Sequence, residues 1–282
     1  MAVKIIVDSA SDIHQAEANE KGIIMLPMEV RIGEKAYFDG VDILPKQFYE
    51  KLIECDDLPK TSQINPFRFE EEFEKVVGGG DEAVVITISS KLSGTYLSAK
   101  QAAEKFDGKV YVVDSLNAAI GERLLCDYAL RLAAAGKGAK AIADELENKK
   151  TKVRLMAMLD TLEYLKKGGR VSSAVAFAGS MLSIKPVVEV VDGEVKLVGK
   201  AMGSKKANNL LNALVEKSGG IDFSMPYGVV WSGLSDMLLK KYVADSAKLW
   251  EGNTDEVPAY MIGCTIGTHV GPGAIGVAFF EK

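Results

Sequence analysis

Along the first half of the chain, short apolar runs alternate with longer stretches whose apolar positions recur at helical spacing. Residues 4–7 predict a first strand, and Asp8-Ser9-Ala10-Ser11-Asp12 follows as a polar turn into a short helix. Residues 23–32 are apolar but interrupted by Pro27, which predicts an edge strand or two short pieces. Pro45–Glu54 predicts a helix. Asn65 as N-cap and Pro66 at the first helical position start another, running through Val77 with Glu70, Glu71, Glu72 and Glu74 on a solvated face. Residues 83–88 are apolar and rich in β-branched side chains, the pattern of a strand buried on both faces. Leu97, Ala99, Ala102, Ala103 and Phe106 then give a helical stripe. A strand over 110–113 and helices over 118–135 and 139–148 complete an alternation that predicts a mostly parallel, doubly wound sheet.

The polar stretch 148–152 is a candidate linker. It divides the chain into a Rossmann-like parallel α/β domain, 1–150, and a second α/β domain, 151–282. In the second, residues 153–159 predict a strand, and Asp160-Thr161-Leu162-Glu163 opens a helix with a capping-box pattern. Gly168-Gly169 ends that helix. Residues 172–182 predict a small-residue helix with Phe177 and Met181 on its apolar face. Residues 187–191 and 194–198, joined by Asp192-Gly193, are the clearest β-hairpin in the chain. Helices over 204–217 and 234–250 and strands over 228–231, 259–262 and 275–280 follow. A hairpin among these elements predicts a mixed or antiparallel sheet, unlike the first domain.

Composition narrows the function classes. A net charge of −5 argues against a nucleic-acid surface, which needs a basic patch. No apolar run approaches the roughly 20 residues of a membrane span, so stable insertion is not expected and membrane contact is transient at most. Three widely spaced cysteines, Cys55, Cys126 and Cys264, fit free thiols in a reducing compartment. The N-terminus runs straight into a strand without a signal peptide, and the expectation is a cytoplasmic protein. With only His14 and His269 and no pair at ligand spacing, no metal is expected. Gly271-Pro272-Gly273-Ala274-Ile275-Gly276 matches the dinucleotide fingerprint by letter, yet a strand and the chain end follow where a helix is needed.

Three stretches hold candidate chemistry. Ser89-Ser90-Lys91-Leu92-Ser93-Gly94-Thr95 lies on a strand-to-helix turn, where free amides and the helix dipole favour a carboxylate or phosphate. The simpler reading is that Ser93 or Thr95 caps the helix. Thr61-Ser62-Gln63 is a polar trio that the Asn65 cap does not need. His269 sits in a segment with glycines at 263, 267, 271 and 273, read as a loop that approaches something closely. Ser93 and His269 as nucleophile and base, with Asp8 or Asp114 as the orienting acid, would make an acyl hydrolase, but Ser93 lacks the Gly-x-Ser-x-Gly elbow.

Taken together, these stretches resemble the DegV family, fatty-acid-binding proteins that include the FakB subunits of bacterial fatty acid kinase. The resemblance rests on Asp8-Ser9 with Asp12, on Thr61-Ser62-Gln63 and on the whole turn from Ser89 to Tyr96. It continues through Leu162-Glu163-Tyr164-Leu165-Lys166-Lys167-Gly168-Gly169-Arg170, Ile184-Lys185-Pro186 and Gly267-Thr268-His269-Val270-Gly271-Pro272-Gly273. Ile64 departs from the family, which commonly has proline there. The resemblance implies two α/β domains with a long-chain fatty acid between them. It assigns the carboxylate to Thr61 and Ser93, with His269 in the same network, Arg170 as a further site residue and Ser62, Gly94 and Thr95 nearby. A histidine with pKa near neutrality would pair with the carboxylate or steady an acyl phosphate. Ile64, Phe177, Met181 and Ile266 are candidates for the tail wall. The expected function is a carrier rather than an enzyme, without cofactor, that presents its acid to a separate fatty acid kinase. The alternatives are the Ser–His acyl hydrolase and a lipid-sensing regulatory protein.

Overall fold

The structure, a computed structural model, describes residues 2–55, 57–171 and 184–282. The helix expected over 172–182, with Phe177 and Met181, lies outside the described residues. The chain opens with β1 (Val3–Asp8), α1 (Gln15–Lys21) and β2 (Ile24–Leu26). Then come β3 (Glu29–Ile32), β4 (Lys35–Phe38), α2 (Pro45–Glu54) and β5 (Lys60–Ser62). The first half ends with α3 (Pro66–Gly78), β6 (Glu82–Thr87), α4 (Thr95–Ala103), β7 (Val110–Asp114), α5 (Ile120–Ala134) and α6 (Ala139–Lys149).

Strands pair in the order β2-β1-β6-β7, all parallel. The central strands β1 and β6 are almost wholly buried, as their continuous β-branched runs require. Asn65 caps α3 as its sequence demands, its Oδ1 accepting from the Arg68 amide at 3.1 Å. The segment broken by Pro27 resolves into two pieces that belong to different sheets. β2 edges the parallel sheet, while β3 centres a small antiparallel sheet, β4-β3-β5. That second sheet was not expected: the trio read as loop supplies its strand β5, with Val30 opposite Thr61.

The second half contains β8 (Val153–Met158), α7 (Glu163–Lys167), β9 (Ile184–Val191), β10 (Glu194–Met202) and α8 (Gly203–Lys217). It closes with β11 (Tyr227–Trp231), α9 (Met237–Asp245), α10 (Ala247–Trp250), β12 (Ala259–Met261), α11 (Cys264–Val270) and β13 (Ile275–Phe280). Its sheet runs β10-β9-β8-β13-β11-β12 and is antiparallel except between β11 and β12. The hairpin turns at Asp192 and Gly193, with φ of 53° and 82°, the mirror-image turn that matches strand twist. The single helix expected over 234–250 is broken at Ser246. The segment around His269, expected as a loop, is helix α11, entered at Gly263 and left at Gly271 with φ of 70°.

The result is a two-domain α/β fold with a parallel sheet, a mixed sheet and the small antiparallel sheet. Helix α5 packs against β1 and β6 on one side and β8, β11 and β13 on the other. The largest apolar cluster follows it across both sheets, from Ile5 and Ile6 through Leu124 and Leu125 to Leu155, Val230 and Phe280. Among the described residues no helix is long and apolar enough to cross a membrane.

Candidate functional site

Strand alternation in β5 separates the polar trio. Thr61 turns inward and half-buried, while Ser62 is exposed and lies outside the cavity described below. Gln63 folds over Gly94, donating from Nε2 to Ser98 Oγ at 3.1 Å. A Cβ at Gly94 would lie 1.9 Å from Gln63 Oε1, so a larger residue there would push the Gln63 amide aside.

His269 projects from α11 so that its Nε2 lies 3.0 Å from Thr61 Oγ1. The other ring nitrogen, Nδ1, is buried without a partner among the described residues and faces Gly168, where a Cβ would approach to 2.3 Å. Burial, and the Arg170 guanidinium after it, lower the His269 pKa to about 4. The imidazole is therefore neutral at physiological pH, not poised near neutrality as expected of a site histidine. Arg170 bridges two elements, donating from Nε to Leu92 O at 3.2 Å and from Nη1 to Gly168 O.

The turn after β6 uses its amides internally. Ser90 N donates to Asp114 Oδ1, Lys91 N to Ser89 Oγ, and Leu92 N and Ser93 N to Ser89 O. The amides of Ser90 to Ser93 are thus taken before the chain enters α4 at Thr95. Ser93 Oγ sits 2.9 Å from Thr95 Oγ1 and accepts from Thr95 N, the first amide of α4, at 3.3 Å, while the N-cap position itself is Gly94. Thr95 itself is fully buried.

Thr61, Ser93, Gly94, Arg170 and His269 all line one cavity of about 260 Å³. Apart from Gln63 and Thr265, its remaining walls are apolar and come mainly from the mixed sheet, the turn after β6 and α11, including Leu92, Val188, Val230 and Ile266. Ile64 does not line it; that side chain packs into the apolar cluster that runs across both sheets. Thr61, Arg170 and His269 also line a second, outer cleft of about 460 Å³, together with Lys60, Tyr164 and Lys167. These three residues form the partition between an apolar interior and a polar exterior.

Asp8 and Asp114 are occupied elsewhere. Asp8 accepts from Ala10 N and Ile88 N, at 2.9 and 2.8 Å, and ties β1 to β6. Ser9 Oγ accepts from Met28 N at 3.0 Å. Asp114 accepts from Ser90 N and Leu116 N. Neither acid bonds His269, and His269 bonds Thr61 rather than Ser93, so the hydrolase triad is not assembled. Among the described residues no group of histidine, cysteine and carboxylate side chains suits a metal ion.

A family model described as "Uncharacterised protein, DegV family" matches residues 2–282. The chain belongs to the DegV family. A DegV domain-containing protein of Caldanaerobacter subterraneus subsp. tengcongensis is 34% identical over 285 residues, covering 99% of each chain. Among solved structures, a DegV family protein from Thermus thermophilus described for its fatty acid binding is 30% identical, with a TM-score of 0.88 over the whole of both chains. A stearic acid-binding protein from Eubacterium ventriosum is 25% identical, with a TM-score of 0.85 over 100% of this chain and 99% of that one. Two further residues shape the site in this DegV chain: Gly168, where the sequence ends a helix, makes room for the imidazole, and Asp39 anchors α11.

Proposed function

We propose that this chain binds a long-chain fatty acid in the cavity between its sheets and presents it to a separate fatty acid kinase for acyl-phosphate formation. Thr61, Ser93, His269 and Arg170 hold the carboxylate, and the apolar walls, Ile266 among them, hold the tail. The observation that carries this reading is the division of the cavity: an apolar interior closed by a cluster of hydroxyl, imidazole and guanidinium groups. Fatty-acid binding by the Thermus thermophilus and Eubacterium ventriosum relatives supports it.

The chemistry agrees. Each buried CH₂ of a tail is worth about 0.8 kcal/mol, so a long chain outweighs the ordering of a tight tunnel. A carboxylate taken from water must find donors there, or its desolvation cancels that gain. A neutral imidazole with one N–H, two hydroxyls and one guanidinium supply donors and a single compensating charge. The outer cleft, with Lys60 and Lys167 beside the same partition, gives a second anion and its donor protein a route to the head group. The fatty acid is the one small molecule this chain itself has to hold, since ATP is the kinase's substrate.

Mass spectrometry of the organic extract of purified protein tests the reading, with Thr61→Val/Ser93→Ala as the comparison. A near-stoichiometric long-chain acid in the wild type, depleted in the variant, is expected. A folded wild type that carries no acid and takes up none when it is added overturns the carrier. Acyl phosphate formed only when a fatty acid kinase and ATP are added supports presentation, and its absence with loaded protein rejects that half alone.

A further inference from the structure

Asp39 follows β4, in the small sheet that also carries Thr61, and is 1% exposed. Its carboxylate reaches across 225 positions of sequence to the first amides of α11. Oδ1 accepts from Cys264 N at 3.0 Å and Oδ2 from Thr265 N at 2.9 Å, so both oxygens are used on adjacent residues of one helix end. Asp12 Oδ1 adds a bond from Gly263 N at 2.8 Å. The Asp39 backbone is fixed in turn, its N–H donating to Met28 O at 3.0 Å.

Helix α11 depends on such bonds. It is 7 residues long and contains glycine, threonine, cysteine and histidine, none of them a strong helix former. It lies close against α2 at Gly267, where a Cβ would come within 2.6 Å of Tyr49 Oη. Thr265 and His269 are four residues apart, one turn on the same face, so a shift of the anchored end carries directly to the imidazole. We propose that Asp39 is a positioning residue of the head-group site: acting through α11, it holds His269 Nε2 at its 3.0 Å spacing from Thr61 Oγ1. One carboxylate thereby fixes the two halves of the partition, β5 and α11, to each other. The proposal rests on the fatty-acid reading only for its affinity measurement.

The test is Asp39→Asn, which keeps the shape but offers one acceptor and turns an NH₂ group toward an amide that needs an acceptor. Two readouts are taken on the full chain: the titration of the His269 imidazole by NMR, its signal identified by loss in His269→Gln, and the Kd for palmitate. In Asp39→Asn the His269 pKa moves up toward its ordinary value as the ring loosens into water. The Kd for palmitate weakens by about tenfold or more, and the same change in a His269→Gln background has no further effect. A folded Asp39→Asn protein with unchanged His269 titration overturns the proposal, and so do additive losses of affinity. If Asp39→Asn fails to fold, Asp39→Glu, with its carboxylate displaced by one CH₂, is read in the same way. If neither folds, Asp39 serves the fold and the proposal is wrong. A wild type that binds no palmitate while its His269 titration still responds to Asp39→Asn rejects the ligand and keeps the positioning role.

Discussion

The imidazole of His269 has almost no room to move, because Gly168 packs against its Nδ1 on one side while Thr61 holds Nε2 on the other. Gly168 has φ of −76°, an ordinary helical value, so Gly168→Ala needs no strained backbone angle and acts chiefly by pushing the ring, with a lesser approach of 3.2 Å to Tyr164 O. That substitution is expected to weaken fatty-acid binding by about tenfold or more, roughly 1.4 kcal/mol, with the fold retained. Gly169 gives the contrast: its φ is +70° with open space around it, so Gly169→Ala costs about 1 kcal/mol of stability and leaves affinity alone. Isothermal titration and thermal melts on both variants check the pair, and equal affinity losses would contradict it. The depressed pKa of His269 adds a pH dependence of known sign. Below pH 6.5 the unfolded chain protonates this histidine while the folded protein does not until about pH 4. Stability is therefore lost as pH falls through that window, by at most about 3 kcal/mol.

At the scale of elements, the legible parts were those whose causes lie within a few residues. Asn65-Pro66 announces α3, and Asp192-Gly193 announces the hairpin, because capping and turn chemistry are local. Helix α11 was hidden because its residues are poor helix formers and its anchors, Asp12 and Asp39, stand 251 and 225 positions away. The small sheet was hidden because its strands have 4, 4 and 3 residues, too short for a period to show. Thr61, Ser93, Arg170 and His269 could be grouped only through the family resemblance, since no spacing links them. Ile64 was assigned to the tail wall by sequence neighbourhood, and one more bond of chain direction sends it into the core. The hairpin tip also clasps the other domain, with Ser89 Oγ donating to Gly193 O at 2.8 Å. A Cβ at Gly193 would lie 2.4 Å from that hydroxyl, in a backbone region with φ of +82°. Gly193→Ala is thus expected to cost about 2 kcal/mol or more. Ser89→Ala, which loses one hydrogen bond, should cost about 1 kcal/mol. Denaturant melts that reverse this order would show that the tip does not bear on Ser89.

Across the whole molecule, the groups that join its layers are buried carboxyls, and they give its stability a pH dependence opposite to that of His269. Asp8 ties β1 to β6, and burial raises its pKa to about 7 despite the two amide bonds it accepts. Burial likewise raises Asp12 and Glu122, which lie near Asp8, well above the usual carboxylate range. An acid raised in this way loses its proton in the unfolded chain near pH 3.8 but keeps it in the folded protein until about pH 7. Its effect on stability is therefore absent at low pH and grows unfavourable as pH rises through that window, reaching about 4 kcal/mol for Asp8. Between pH 4 and 6.5 the two slopes oppose each other, since His269 destabilises on acidification and Asp8 on alkalinisation. Each variant should unmask the other group. His269→Gln should steepen the fall of Tm from pH 4 to 7 relative to wild type, because the compensating rise is gone. Asp8→Asn lowers Tm at low pH by leaving one amide unpaired, but its curve should climb more steeply from pH 4 to 6.5 than the wild-type curve, because it lacks the cost of ionising Asp8. Melts in steps of half a pH unit separate the slopes from the offsets. If both variants run parallel to wild type, neither group is perturbed as burial requires, and the dry, anchored interior on which the head-group site depends would have to be hydrated instead.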